Sequence, residues 1–162
     1  DLPDYRLLIC GPLDLEPRFV KAFNEALYRR DNIETIGWID VTSPEFAAIR
    51  RGTVATVYPS CSEGGGGSTI TCMHAGLIPV VSTQASVDVA EFGTVIDDLS
   101  VDAVRRAVQA LGVQPAEQLE KRARAAWEFA RRHHTRETFA KDYDRFVAEV
   151  VLPEVQRRRA SA

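Results

Sequence analysis

The sequence has 162 residues, 20 lysines and arginines against 23 aspartates and glutamates, and a formal net charge of −3. At 45% hydrophobic and 27% charged residues it sits near the globular average, which excludes a disordered, collagen-like or disulfide-stapled chain. So balanced a charge also lacks the basic footprint of phosphate-backbone binding, and the arginine run at 157–159 is too short to supply it, so nucleic acid is not an expected partner.

No apolar stretch reaches the roughly 18–20 residues that a transmembrane helix requires, and the first residues lack the order of a signal peptide. The sequence reads as a cytoplasmic domain with no transmembrane segment. Cys10, Cys61 and Cys72 form an odd count with no CxxC pair, and they read as reduced, mostly structural thiols. Folding is expected to need neither a metal nor a cross-link.

In chain order, Arg6 to Cys10 is a short apolar run stopped at Gly11-Pro12, the pattern of a buried strand. Pro17 to Arg30 repeats Phe19, Val20, Phe23 and Leu27 at helical spacing and ends at Asp31-Asn32. Ile33 to Ile39 reads as a second strand. Ser43-Pro44-Glu45 then supplies an N-cap, a first-turn proline and an early acid for a short helix ending at Arg51. Val54 to Tyr58 is a strand, Ser68 to Ala75 a helix closed by Gly76, and Leu77 to Ser82 another strand. A short strand, Thr94 to Ile96, precedes a helix from Val101 to Leu111 whose face is Val101, Val104, Val108 and Leu111.

Such alternation implies a three-layer α/β domain with about five mostly parallel strands. After Gly112 the pattern changes to two helical segments, Pro115 to Arg132 and Thr135 to Val151. The stripe Phe139, Tyr143, Phe146, Val147 and Val150 is expected to pack into the core. The chain thus divides into an alternating core, 1–112, and a helical tail, 113–162, within one domain.

In an open parallel sheet, ligands bind beyond the carboxyl ends of the strands, which directs attention to the loops after Cys10, Trp38, Tyr58 and Ser82. Gly11 and Trp38 are candidate binding residues on that ground. Pro59 to Ser82 carries Ser60, Glu63, four glycines (Gly64, Gly65, Gly66 and Gly67), Ser68 and then a helix containing Thr71. Glycines allow close backbone approach, and the amides of the following helix N-terminus favour an anion such as a diphosphate. Glu63 is placed to accept hydrogen bonds from sugar or ribose hydroxyls. A flexible surface loop is the competing reading. A spliced GGGGS linker is another, but it would not be expected to continue into an uninterrupted helix, turn and buried strand.

This segment resembles the donor-binding signature of group 1 glycosyltransferases of GT-B architecture, in which P-S-x-x-E-G-x-G leads into a helix ending A-x-x-x-G-x-P-V-V. Pro59, Ser60, Glu63 and Gly64 match the first part, and Met73, Gly76, Pro79, Val80 and Val81 the second, with Ala75 displaced from the usual alanine. LLICGP is similar to the family's strand and glycine turn, NIETIGWID to its next strand, and TRETFAKDYDRF to its closing helices. The resemblance implies a Rossmann-like carboxy-terminal domain with a two-helix extension, binding a nucleotide-sugar donor as substrate and needing no cofactor. It further implies that Glu63 contacts the transferred sugar, and that Ser60, the glycines, Ser68 and Thr71 line the donor site.

Three features depart from the family. Thr71 stands where a second glutamate usually contacts the donor's ribose. The preceding strand and loop, with the arginine and lysine that neutralise the diphosphate, are not in this sequence. The amino-terminal acceptor domain is also absent, so the chain is expected to be the donor-side half of a two-domain enzyme, inactive alone, with an exposed edge that favours a homodimer. The alternative is a non-catalytic nucleotide- or sugar-binding or scaffolding module derived from that fold.

Other candidates carry less. His74 reads as a satisfied helix residue and His133-His134 as a helix end. Asp88, Glu91, Asp97 and Asp98 read as loop acids, with Asp88 and Glu91 near the sugar pocket. Ser60 and Ser62 have no hydrolase elbow around them.

Overall fold

A computed structural model describes residues 2–160. Strands and helices alternate as expected: β1 (Leu7–Cys10), α1 (Pro17–Ala22), α2 (Asn24–Tyr28), β2 (Ile33–Gly37), α3 (Pro44–Arg51), β3 (Ala55–Tyr58), α4 (Gly67–His74), β4 (Ile78–Ser82), β5 (Thr94–Ile96) and α5 (Val101–Gly112). The tail is α6 (Ala116–His133), α7 (Arg136–Phe146) and α8 (Leu152–Ala160). Every strand pairing is parallel, and the architecture is α/β and Rossmann-like with C-terminal helices. Hydrogen bonding groups the strands into two sheets, β1-β2 and β3-β4-β5. The chain correspondingly divides into two compact units, Asp1–Gly52 and Thr53–Ala162.

In the first unit, β1 and β2 run in register from Leu7 opposite Ile33, with an irregularity between Ile9 and Cys10. The strand expected to be buried is not: Leu7 is 46% exposed, and Leu27 is the buried hydrophobic residue of this unit. A parallel strand is buried on both faces only when neighbours and helices cover both, and within this unit β1 is paired along one edge. The helix expected over residues 17–30 is broken at Phe23 into α1 and α2. The bend turns α2 onto β2, where the Leu27 carbonyl accepts from the Thr35 hydroxyl at 3.0 Å. Phe19 and Phe23 stay exposed, their rings 4.8 Å apart. At α3 the cap is as expected, with Ser43 Oγ accepting from Phe46 N at 3.1 Å.

In the second unit, β4 is the central strand and all five of its residues are buried, which requires cover on both faces. Ile78, Val80 and Ile96 form a cluster with Ala103 and Leu111 of α5, against which Leu119 and Ala123 of α6 also pack. A second cluster joins Met73 of α4 to Phe92 and to Ala126 and Ala130 of α6. Val101, expected on the buried face of α5, is 74% exposed. It is the first residue after the Ser100 cap, whose Oγ accepts from Ala103 N, and Ala103 takes the inward position instead.

The long α6 is pinned to the segment before β5 by Arg122. Its guanidinium donates to the carbonyls of Phe92 (2.9 Å) and Gly93 (2.7 Å), to Thr94 Oγ1 (2.8 Å) and to Gln114 Oε1 (3.0 Å). The tail therefore helps build the core of its unit. The stripe on α7 behaves otherwise: Phe139, Tyr143, Phe146 and Val150 are 51–71% exposed, and Phe139 stacks on Tyr143 along the same helix at 5.9 Å. Helical periodicity records an apolar face without recording what covers it. The helix also runs past Val151 to Ala160, through a π-helical turn at Val147–Val151. Pro153 lacks an N–H and its ring crowds the preceding turn, which a widened turn accommodates.

Among the described residues no helix is long and apolar enough to cross a membrane. Cys10 and Cys61 are exposed thiols and Cys72 is half-buried in α4; none is in a disulfide among the described residues.

Candidate functional site

β3 and β4 are adjacent and parallel, so the loops that leave their carboxyl ends emerge side by side. The loop after β3 is tied to the end of β4 and the loop after it by four hydrogen bonds. Glu63 N donates to Gln84 O (3.1 Å), Gly66 N to Ala85 O (3.0 Å), Ser86 Oγ to Glu63 O (3.1 Å) and Ser82 Oγ to Ser60 O (2.5 Å). The glycine-rich segment is thus an ordered part of the fold, not a flexible linker.

Two of its glycines are required where they stand. Gly65 has φ +137°, a conformation that L side chains rarely adopt. Gly66 is buried, and a Cβ there would lie 2.9 Å from Val87 Cγ2 and 3.4 Å from Tyr58 Cε1. Gly64 and Gly67 have open space around them.

Glu63 is exposed, and its carboxylate is held at one oxygen. Tyr58 Oη donates to Oε1 at 2.6 Å, and Ser60 Oγ lies 3.2 Å from the same atom. The Tyr58 phenol is held above its ordinary range, first because its proton is bound to the Glu63 carboxylate and then because of partial desolvation, with the Ser68 hydroxyl opposing. Tyr58 therefore stays a neutral donor at neutral pH. Ser60, read as a ligand contact, is turned onto Glu63, and its carbonyl is engaged by Ser82.

The first turn of α4 follows directly. Gly66 is its N-cap and no side chain caps it, so first-turn amides are open to an anion beside the exposed Ser68. Thr71 is half-buried one turn on, and its hydroxyl donates to Gly67 O at 2.9 Å. That bond leaves Thr71 Oγ1 with acceptor capacity alone.

The structure thus brings Ser60, Glu63, Gly64, Gly65, Gly66, Gly67, Ser68 and Thr71 into one loop and helix start. Gly11 and Trp38 belong to the other unit, where Gly11 N donates to Gly37 O at 2.8 Å and Trp38 is 73% exposed. Sequence reasoning passed over Tyr58, Ser82 and Ser86. Tyr58 carried a readable signal, as a hydroxyl-bearing aromatic at a strand's last position immediately before the motif. Ser86 carried none, since its φ of +52° is unusual for a non-glycine residue and shows only in the backbone.

The remaining candidates are engaged elsewhere. His74 Nε2 donates to the His134 carbonyl at 3.0 Å, and His133 ends α6 with its ring 4.5 Å from that of Phe129. Asp97 pairs with Arg106 at 3.2 Å, and Asp98 accepts from Ser100 N at 2.6 Å. Asp88 lines an open cavity of about 620 Å³ at the start of α7, with His134, Arg136 and Phe139. Burial there lowers the basicity of His134, and repulsion from His74 and His133 adds to the effect while Asp88 opposes it.

No protein-family model and no curated protein matches the sequence. The fold does match solved structures, among them the crystal structure of WaaG, a glycosyltransferase involved in lipopolysaccharide biosynthesis. The TM-score is 0.57 over 90% of this chain, at 17% sequence identity. This chain spans 38% of the length of that one. At such an identity the likeness establishes the fold, and it is the fold that the sequence motif led us to expect.

Proposed function

We propose that the β3–α4 loop is the donor site of a sugar-transfer enzyme, and that this chain is the donor-binding half of a two-domain glycosyltransferase. One observation carries the reading: a carboxylate, Glu63, is buttressed by protein donors at one oxygen directly beside an uncapped helix N-terminus. A nucleoside diphosphate sugar needs both features, backbone amides for its phosphates and a charged acceptor for the hydroxyls of its sugar. In this reading Glu63 serves the transferred sugar, the Gly64–Ser68 backbone the diphosphate and Thr71 the ribose.

Mechanistically, this half holds and orients the donor. The acceptor and the second wall of the cleft belong to the proposed amino-terminal domain. Bringing donor and acceptor into reacting geometry is worth about 7–11 kcal/mol, and half of a cleft cannot supply it, so the isolated chain should show no transfer.

A second reading, a binding module without catalysis, is favoured by Thr71, whose hydroxyl is tied to its own helix where the family's glutamate would offer a carboxylate. Thermal-shift screening against UDP, GDP, ADP and their hexose conjugates separates the two. Greater stabilisation by a sugar conjugate than by its bare nucleotide supports the donor site. Stabilisation by bare nucleotide alone favours the module, and no response to either from the full-length protein overturns the donor site.

A further inference from the structure

We infer that Tyr58 is the positioning residue of the donor site, fixing Glu63 so that Oε1 is held by the protein and Oε2 is presented to a hydroxyl of the transferred sugar; the inference rests on the donor-site reading above. Glu63 is an exposed, flexible side chain on a loop, and a ligand that had to order it would lose affinity in doing so. Tyr58 orders it beforehand. Its backbone is the last residue of β3, in register with Val81 of the buried β4, so the phenol is carried by a strand paired to the core of the unit. Its ring lies against Gly66, where an added Cβ would stand 3.4 Å from Cε1. From that platform the hydroxyl reaches Glu63 Oε1 at 2.6 Å, the distance of a charge-assisted bond.

Ser60 adds a second, longer bond to the same oxygen at 3.2 Å, so both protein donors converge on Oε1. A carboxylate has about four acceptor positions, and loading two on one oxygen directs the other toward the ligand.

The test compares Tyr58→Phe, Glu63→Gln and the double variant by calorimetric titration of the full-length protein. The probes are UDP-glucose, GDP-mannose and ADP-glucose, each beside its bare nucleotide. Phenylalanine keeps the ring against Gly66 and removes only the hydroxyl, so a melting temperature close to wild type is expected. For whichever conjugate binds, Tyr58→Phe should weaken it about three- to tenfold, with bare-nucleotide affinity unchanged, and the double variant should be no weaker than Glu63→Gln. A full loss in Glu63→Gln with none in Tyr58→Phe would overturn the positioning role alone. Additive losses in the double variant would overturn it too, because Tyr58 would then be acting independently of Glu63.

If Glu63→Gln leaves every conjugate bound as in wild type, or if no conjugate binds, the donor-site reading falls and this inference with it. A ligand-free readout keeps the two separable. Ultraviolet titration of wild type minus Tyr58→Phe isolates ionisation of the Tyr58 phenol, which should move to lower pH in Glu63→Gln. No movement would mean that the Tyr58–Glu63 bond does not form in solution.

Discussion

Arg122 offers a direct test of how the tail contributes to the second unit. Its guanidinium spans two backbone carbonyls, a threonine hydroxyl and a glutamine carbonyl within 2.7–3.0 Å. Arg122→Met keeps most of the aliphatic stem and removes the fork, leaving the Phe92 and Gly93 carbonyls to find water. Hydrogen bonds from a charged donor contribute about 1.5–3 kcal/mol each where the partner cannot be rehydrated. Arg122 is only half-buried, so solvent recovers much of that, and we expect a loss of about 2–4 kcal/mol in total. The chain has two tryptophans, Trp38 in the first unit and Trp127 on α6 in the second. In a Trp38→Phe background, urea unfolding followed by fluorescence therefore reports the second unit alone, and the midpoint should fall with the slope unchanged. Arg122→Lys, which keeps the charge without the planar fork, should recover less than half of the loss. A change below about 0.5 kcal/mol for Arg122→Met, the ordinary range for a surface substitution, would refute the idea that this residue staples α6 to the sheet.

The loop makes its own prediction: Gly65→Ala should cost about 1–2 kcal/mol because φ is +137°, while Gly64→Ala, with open space around it, should cost under about 0.5 kcal/mol. Equal and negligible costs by thermal denaturation would restore the flexible-linker reading. Thr69 is fully buried in the first turn of α4, with a hydroxyl that finds no hydrogen-bond partner. Thr69→Val should accordingly be neutral or stabilise by about 1 kcal/mol in urea unfolding, and a loss of that size would mean that the hydroxyl is satisfied in solution. His134 has its basicity lowered in the folded state, chiefly by burial, so the unfolded chain binds more protons below the ordinary histidine pKa of 6.5 and stability rises with pH through that window. Stability should fall as pH is lowered from about 7 to about 5.5, and His134→Gln should flatten that slope; parallel profiles for the two proteins would count against it.

Much of this fold was legible because local chemistry is written in short windows. Ser43 announces a helix start and caps as its position suggests. The apolar run at β4 reads as a strand buried on both faces, and it is one. The motif from Pro59 to Val81 pointed to the candidate loop, since strand, glycines and helix follow one another in sequence and are neighbours in space.

What failed to show in the sequence was everything that depends on a second segment. The period of Phe139, Tyr143 and Phe146 describes a stripe, yet only packing decides that it stays exposed. The run from Pro17 to Arg30 has helical spacing throughout, yet the contact of Leu27 with β2 bends it at Phe23. At the site, the sequence supplied Glu63 but not the direction of its carboxylate. That direction is set by Tyr58 at the end of β3 and by Ser60 just after it, while Ser82 at the end of β4 and Ser86 beyond it hold the loop's backbone. Residue type and spacing determine which groups are present and which element carries them. The pairing of β3 with β4 determines which loops lie together, and with it the bonds that Ser82 and Ser86 make to the Glu63 loop, because hydrogen bonds form between neighbours in space irrespective of their separation along the chain.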